Sequence, residues 1–272
     1  MSRQKERKRF LIIKFEGKDM KNNLVTNVFV FGLAAVSLMA QPQTIRLIDL
    51  SSSTTITQSG SYLLTSSLAV NSATGAGLLI TGSNITVDLN GQTITGTGTG
   101  AGVMVMGGRN VVVKNGNIES ALMGAVAMNA TGVRFENLMI RGNAGAPPEA
   151  GVMLVQTSGS VVANNQIFNA ALGIFVRGSR TFGNRIEGNI LTATGSTLPL
   201  GICYNPTDTD MTGPQGDLIT RNLIRGYRQS VAFSNSSFNV VEGNTFIFRV
   251  SASDNPNSKN MIKNNTEVKI EN

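Results

Sequence analysis

A short phrase returns down this chain in altered spelling, and its return constrains the fold more than any other feature. Asn84 to Gly96 reads NITVDLNGQTITG. NVVVKNGNIES follows at Asn110 to Ser120, GVRFENLMIRG at Gly132 to Gly142, SVVANNQIF at Ser160 to Phe168 and NVVEGNTFIF at Asn239 to Phe248. Each copy alternates apolar and polar residues, the period of a half-buried strand, and each is broken near its middle by Asn or Gly. A helical period is sustained nowhere.

A second alignment sets the length of the unit. Gly77, Gly102, Gly124, Gly151, Gly173 and Gly201 precede LLI, VMV, AVAM, VML, IFV and ICY, at steps of 25, 22, 27, 22 and 28 residues. A period in the low twenties, stretched by insertions, is that of a solenoid, where a unit buries its apolar face only against its neighbours. Each unit holds three short strand signals, as in GLLIT, NITVDL and QTIT. The predicted fold is all-β: a right-handed single-stranded parallel β-helix of about seven to eight coils, with three short strands per coil, an N-terminal cap, and Gly at the corners. Asn90, Asn115, Asn137, Asn165, Asn189, Asn222, Asn244 and Asn265 fall between the second and third strands. Stacked there, their amides are expected to hydrogen-bond from coil to coil as a structural ladder.

The coil pattern, the phrase ITVDLNGQTITG and the preceding SGSYLLTSSLAV resemble right-handed β-helix repeat proteins of the pectin-lyase-like superfamily, from about Ile45 to Asn265. The resemblance implies the fold and says little about activity, because one fold hosts several chemistries.

Before the repeats, Met20 to Ala40 (MKNNLVTNVFVFGLAAVSLMA) combines an early Lys, an apolar run and a small residue at a potential cleavage site. It is expected to be a secretory signal, with Met20 as the true start; an uncleaved anchor is the alternative. The expected organisation is therefore an upstream extension and signal at 1–40, a cap at 41–70, the β-helix at 71–250, and a last weak coil and tail at 251–272. Residues 1–40 carry 8 of the 23 Lys and Arg and 3 of the 16 acids, so 15 bases face 13 acids beyond Ala40. That near-neutral remainder argues against nucleic acid as a partner, and no transmembrane segment is expected after the signal. Cys203 is the only cysteine, so no intrachain disulfide staples the fold.

The chain has no histidine. That removes Ser/His and Cys/His nucleophilic pairs and His-bound metals together. Within the superfamily it also removes any match to the Gly-His-Gly of polygalacturonases or the Asp-Pro-His-Glu of mannuronan epimerases. The polygalacturonase Asn-Thr-Asp, Asp-Asp and Arg-Ile-Lys motifs are missing too. What the resemblance leaves open is a pectate-lyase-like β-elimination from a uronic acid, using an arginine as base and calcium held by carboxylates. Arg177, Arg180 and Arg221 are the candidate catalytic residues, with Arg185, Arg225, Arg228 and Tyr227 as substrate contacts. Asp208, Asp210 and Asp217, in YNPTDTDMTGPQGD, are candidate calcium ligands. The plain alternative is a soluble turn flanked by solvated arginines, with no cofactor required. Aromatic platforms for sugars are scarce by this inventory: no Trp, and only Tyr62, Tyr204 and Tyr227, with Tyr204 expected to point inward.

Alternation from the glycines also places Leu79, Met104, Met106, Val126, Met128, Met153, Val155 and Phe175 on the outside of the first strand of each coil. An apolar outer strip suits a partner surface or a covering segment, and a homo-oligomer, or cover by Gln41 to Asp49 or a loop, is expected ahead of a hydrophobic ligand. Taken together, the chain reads as a secreted, cell-surface or periplasmic β-helix directed at extracellular polysaccharide, with a calcium-dependent polyuronate lyase as the finer form. A non-catalytic surface, adhesin-like or structural β-helix is the alternative.

Overall fold

In the computed structural model the repeat is a parallel β-solenoid. The structure describes residues 45–48, 54–70, 75–96, 100–119, 121–142, 149–194, 200–205, 213–248 and 259–269. The expected extension and signal at 1–40 lie outside the described residues.

Eight strands stack in chain order as one parallel sheet: Thr54–Ile56, Ala76–Ile80, Ala101–Met106, Met123–Met128, Ala150–Val155, Leu172–Arg177, Leu200–Asn205 and Gln229–Phe233. Seventeen further strands make a second sheet that forms the other two sides. One of its ladders runs from Ile45–Ile48 through Gly60–Leu64 and Ile85–Asp88 to Met261–Lys263, and the other from Leu68–Val70 through Thr93–Gly96 to Thr266–Lys269. Val111–Glu119 and Arg134–Arg141 pass through both ladders without a break and join them. Each coil thus supplies one strand to each of three sides, as the sequence predicts. Parallel stacking starts inside the segment expected to be a cap: Ile45–Ile48 pairs with Gly60–Leu64, and Thr54–Ile56 and Gly60–Leu64 pair with the next coil.

Inward positions alternate with outward ones along strands such as Ile85–Asp88 and Thr93–Gly96, and the inward side chains form an apolar core. Val103, Val105, Val113, Phe135, Val152, Leu154 and Ile167 are all fully shielded there. A fully buried side chain of this kind contributes about 1.5–3 kcal/mol relative to exposure.

Pairing of Leu78 with Val103, Val103 with Ala125, Ala125 with Val152, Val152 with Ile174 and Ile174 with Ile202 reproduces the glycine steps of the sequence. The glycines do not sit at corners, however. They lie inside the strands, where the third side presses close: a Cβ at Gly151 would meet Ile167 Cγ2 at 2.4 Å and the Gly173 carbonyl oxygen at 2.7 Å. Gly124 and Gly201 face Ile140 and Ile224 in the same way. The column is glycine because it needs room.

The eight asparagines divide into two adjacent columns. From Asn165 on they form an inner ladder: both the backbone N–H and Nδ2 of Asn165 donate to Oδ1 of Asn189 at 3.0 Å. Asn189 repeats this with Asn222, Asn222 with Asn244, and Asn244 with Asn265, every bond 2.9 Å. Asn90, Asn115 and Asn137 instead occupy the residue before, with φ of 52°, 59° and 53°, where the left-handed turn is made. Asparagine tolerates that conformation because its short amide bonds locally. Leu138, not Asn137, holds the inner position, and its N–H starts the ladder by donating to Asn165 Oδ1.

Candidate functional site

The turn that leaves the eight-stranded sheet carries a further column of stacked residues. Single bridges link Arg109, Thr131, Ser158, Phe182, Gln215 and Ser237 from coil to coil. Thr131 and Ser158 share a hydroxyl hydrogen bond of 3.2 Å. Around them lies a pocket of about 240 Å³, lined by Asn129, Ala130, Thr131, Gln156, Ser158, Arg180 and Phe182.

Local backbone chemistry builds this pocket. Asn129 and Gln156 turn the chain in the left-handed region, with φ of 51° and 53°. Gln156 Oε1 then accepts the Arg180 backbone N–H at 2.9 Å, which pins the longer turn of the following coil. Phe182 projects from the next position with 57 % of its surface exposed. An exposed ring, an exposed guanidinium and a set of hydroxyl and amide groups thus share one concave surface. Such a surface can stack on the apolar face of a ring and hydrogen-bond its polar rim.

The residues nominated from sequence are dispersed around the coil. Arg180 lies in the pocket wall. Arg177 ends its strand one coil on from Val155. Arg185 and Arg221 sit elsewhere, both on Glu187 Oε2, at 2.7 and 2.9 Å. Arg225 lies on the third side, its Nε donating to Thr192 Oγ1 at 3.1 Å. Arg228 is exposed beyond it. Tyr227 is 1 % exposed, and burial pushes its phenol far above the usual range. Sunk in the interior, it offers no surface to a substrate.

Asp217 is likewise interior, at 1 % exposure. Its Oδ1 accepts the Asn184 N–H at 2.7 Å, and its Oδ2 accepts the Tyr204 hydroxyl at 3.1 Å. Burial drives its pKa up to about 6, while the bonds from Asn184 and Tyr204 pull the other way. Its oxygens are turned inward and engaged, which does not suit a calcium ligand. Asp208 and Asp210 lie outside the described residues. Among the described residues no three His, Cys, Asp or Glu side chains gather to hold a metal.

Tyr204 points inward, as alternation predicts, its ring 5.0 Å from that of Phe233. The outer strip also has the predicted direction, although Val126 and Phe175 in it are buried. Leu79, Met104, Val126, Met153 and Phe175 pair in one outward column and belong to two apolar clusters separate from the interior core. Met106, Met128 and Val155 form the next outward column, which turns polar at Arg177 and Asn205.

Sequence inspection missed Phe182, because the search for platforms counted Trp and Tyr. The available signal was its place: a large apolar residue in a column otherwise made of Thr, Ser, Gln and Arg.

Comparison with known proteins agrees with this architecture. Residues 55–199 match the family described as a right-handed β-helix region. No curated protein matches the chain by sequence. Among solved structures, the Dettilon tailspike protein is similar with a TM-score of 0.55 and 15 % identity, over 83 % of this chain and 55 % of its own. This chain therefore spans about half the length of that tailspike. An alginate lyase from Paenibacillus sp. is similar with a TM-score of 0.51 and 14 % identity, over 82 % of this chain and 95 % of its own. No helix among the described residues is long and apolar enough to cross a membrane.

Proposed function

Since the chain belongs to the right-handed β-helix family, we propose that it is a polysaccharide-directed β-helix that binds an extracellular glycan at the turn following the eight-stranded sheet. The observation that carries this is the pocket in which the exposed Phe182 ring meets Arg180, Gln156, Thr131 and Ser158. The tailspike and alginate lyase among the similar structures lend the proposal a direction, while their low identity speaks to the fold alone. Secretion or surface display follows from the same proposal, since such a ligand lies outside the cell.

Two variants differ in what happens after binding. In one, the protein is a calcium-dependent polyuronate lyase; Arg180 in the pocket wall is the observation that favours it, with Asp208 and Asp210 as the candidate calcium ligands. In the other, the protein is a non-catalytic surface or structural β-helix that self-associates through the outward clusters of Leu79, Met104, Val126, Met153 and Phe175.

One experiment addresses all of these. The folded protein is mixed with alginate, polygalacturonate and neutral glycans, with calcium and then with chelator, while binding and the absorbance of unsaturated uronate are recorded. Calcium-dependent product assigns the lyase; binding without product assigns the binding protein. Neither binding nor product on any glycan overturns the glycan-directed reading.

A further inference from the structure

Beyond the pocket, the same edge carries information about the shape and charge of its ligand. Directly after the bridged column runs a second one: Asn110, Gly132, Gly159, Gly183, Gly216 and Phe238, all left-handed, with φ between 53° and 66°. This conformation costs a residue with a side chain about 1–2 kcal/mol, and only Gly, or Asn and Asp by local bonding, visits it routinely. Five coils obey that rule. The sixth places a phenylalanine there, at φ 60°.

Packing does not account for the exception, since 56 % of Phe238 is exposed. A Cβ added at Gly159, Gly183 or Gly216 meets nothing within 4 Å, so the column faces open space. Strained, exposed residues of this kind cluster at binding sites. Phe182 stands on the same edge, two coils earlier, through the bridges from Phe182 to Gln215 and from Gln215 to Ser237. Two coils span about 10 Å at the usual strand spacing of about 4.8 Å. One coil is close to the rise of one pyranose along an extended polysaccharide, so a chain laid parallel to the helix axis meets one bridged residue per sugar.

The edge is also cationic. Arg109 and Arg180 are exposed along it, and Lys259 Nζ lies 5.3 Å from the Phe238 ring centroid. In the described parts of these turns (107–110, 129–132, 156–160, 178–184, 213–217, 234–239 and 259–260) the one acid is Asp217, which is buried.

We infer that this edge binds a linear uronic-acid polysaccharide parallel to the helix axis. The apolar faces of two pyranose rings stack on Phe182 and Phe238, and their carboxylates meet Arg180 and Lys259. The inference rests on the glycan-directed reading above and specifies its ligand and its direction.

The test is affinity electrophoresis and titration calorimetry with polymannuronate, polygalacturonate and neutral xylan, using the full chain, Phe182→Ala, Phe238→Gly and the double variant. Phe238→Gly installs the residue that earlier coils use, so its melting temperature should hold or rise and lost binding there cannot be unfolding. The expected result is salt-sensitive binding of the uronate polymers, weakened about tenfold or more by each substitution, with xylan bound less well. Wild-type binding that both variants retain overturns the edge assignment and leaves the glycan-directed reading standing. Failure of the wild type on every glycan overturns both. Equal, salt-independent binding of xylan overturns the acidic ligand. A solution mass that falls on substitution with binding unchanged assigns the rings to a second copy of the chain, and so overturns the inference as well.

Discussion

Asp217 occupies, one coil on from Asn184, a place that asparagine holds in the coils on either side. Asn184 donates to it from both backbone N–H and side chain, and its own N–H donates to Asn239 Oδ1 at 2.9 Å. This interior column runs from Ser160 through Asn184, Asp217 and Asn239 to Asn260. A carboxylate here accepts as an amide does but has no N–H to pass on to the next coil.

That substitution makes stability depend on pH. Asp217 titrates at about 6 in the folded chain, chiefly because burial penalises its charge, against 3.8 for the free side chain. Between those values the folded state holds the proton and the unfolded state does not, so stability is greatest below about pH 4 and falls as pH rises through about 6. The shift corresponds to on the order of 3 kcal/mol. Asp217→Asn should therefore raise the melting temperature at pH 7.5 and lose most of that advantage at pH 4, measured as paired thermal melts. An equal gain at both pH values would refute the account.

The two asparagine columns should respond differently to mutation. Asn189→Ala strands the N–H and one of the two Nδ2 hydrogens of Asn165, the other staying on the Phe135 carbonyl, and should cost about 2–4 kcal/mol in urea unfolding. Asn137→Gly, in the outer left-handed column, should cost less than about 1 kcal/mol, because glycine adopts that φ without penalty.

Room, not flexibility, explains Gly151. Its alanine variant should lose about 1–3 kcal/mol through the clash with Ile167 Cγ2. Pairing it with Ile167→Ala should restore part of the loss, so the double variant will be less unstable than the two single effects added together.

Arginines that looked alike in sequence should separate in function. Arg180→Ala should weaken uronate-polymer binding several-fold by equilibrium titration. Arg185→Ala and Arg221→Ala should leave it unchanged and cost less than about 1 kcal/mol of stability, since both pair with Glu187 through exposed guanidinium groups.

Cys203 should be inert. Only 8 % of it is exposed, and burial pushes its thiol up to about 11, so it is protonated at pH 8. Ellman's reagent should react with it slowly in buffer and fully in denaturant.

The coil, the glycine register and the outward apolar strip were legible in the sequence because each rests on a period, and a period survives without knowledge of any contact. The ladder was misregistered at its beginning for a physical reason. Asparagine serves both the left-handed turn and the buried amide stack, so its identity does not say which of two consecutive positions it fills; the neighbour does. In Asn164-Asn165 the second residue is the buried one, whereas in Asn137-Leu138 the buried residue is Leu138. The arginines failed as a cluster because position within a coil, not distance along the chain, decides which side a residue faces. Arg180 and Arg185 are five apart yet lie on different sides, with the turn through Phe182 between them. Asp217 read as a loop ligand because nearness along the chain grouped it with Asp208 and Asp210, although Ser160, Asn184, Asp217, Asn239 and Asn260 each stand five residues before a ladder asparagine.

From Asn165 to Asn244 each ladder residue donates its backbone N–H and its Nδ2 to the Oδ1 of the next coil toward the C-terminal end, while Nδ2 also donates to a carbonyl of the preceding coil, that of Phe135 for Asn165 and of Val162 for Asn189. Aligned in this way the groups polarise one another, and the stack acquires a sense of direction. The two ends of the solenoid are thus chemically unlike: trimming coils from the C-terminal end leaves a backbone N–H and an amide hydrogen of one asparagine unanswered, while trimming from the N-terminal end bares an Oδ1 and leaves a single amide hydrogen without its acceptor.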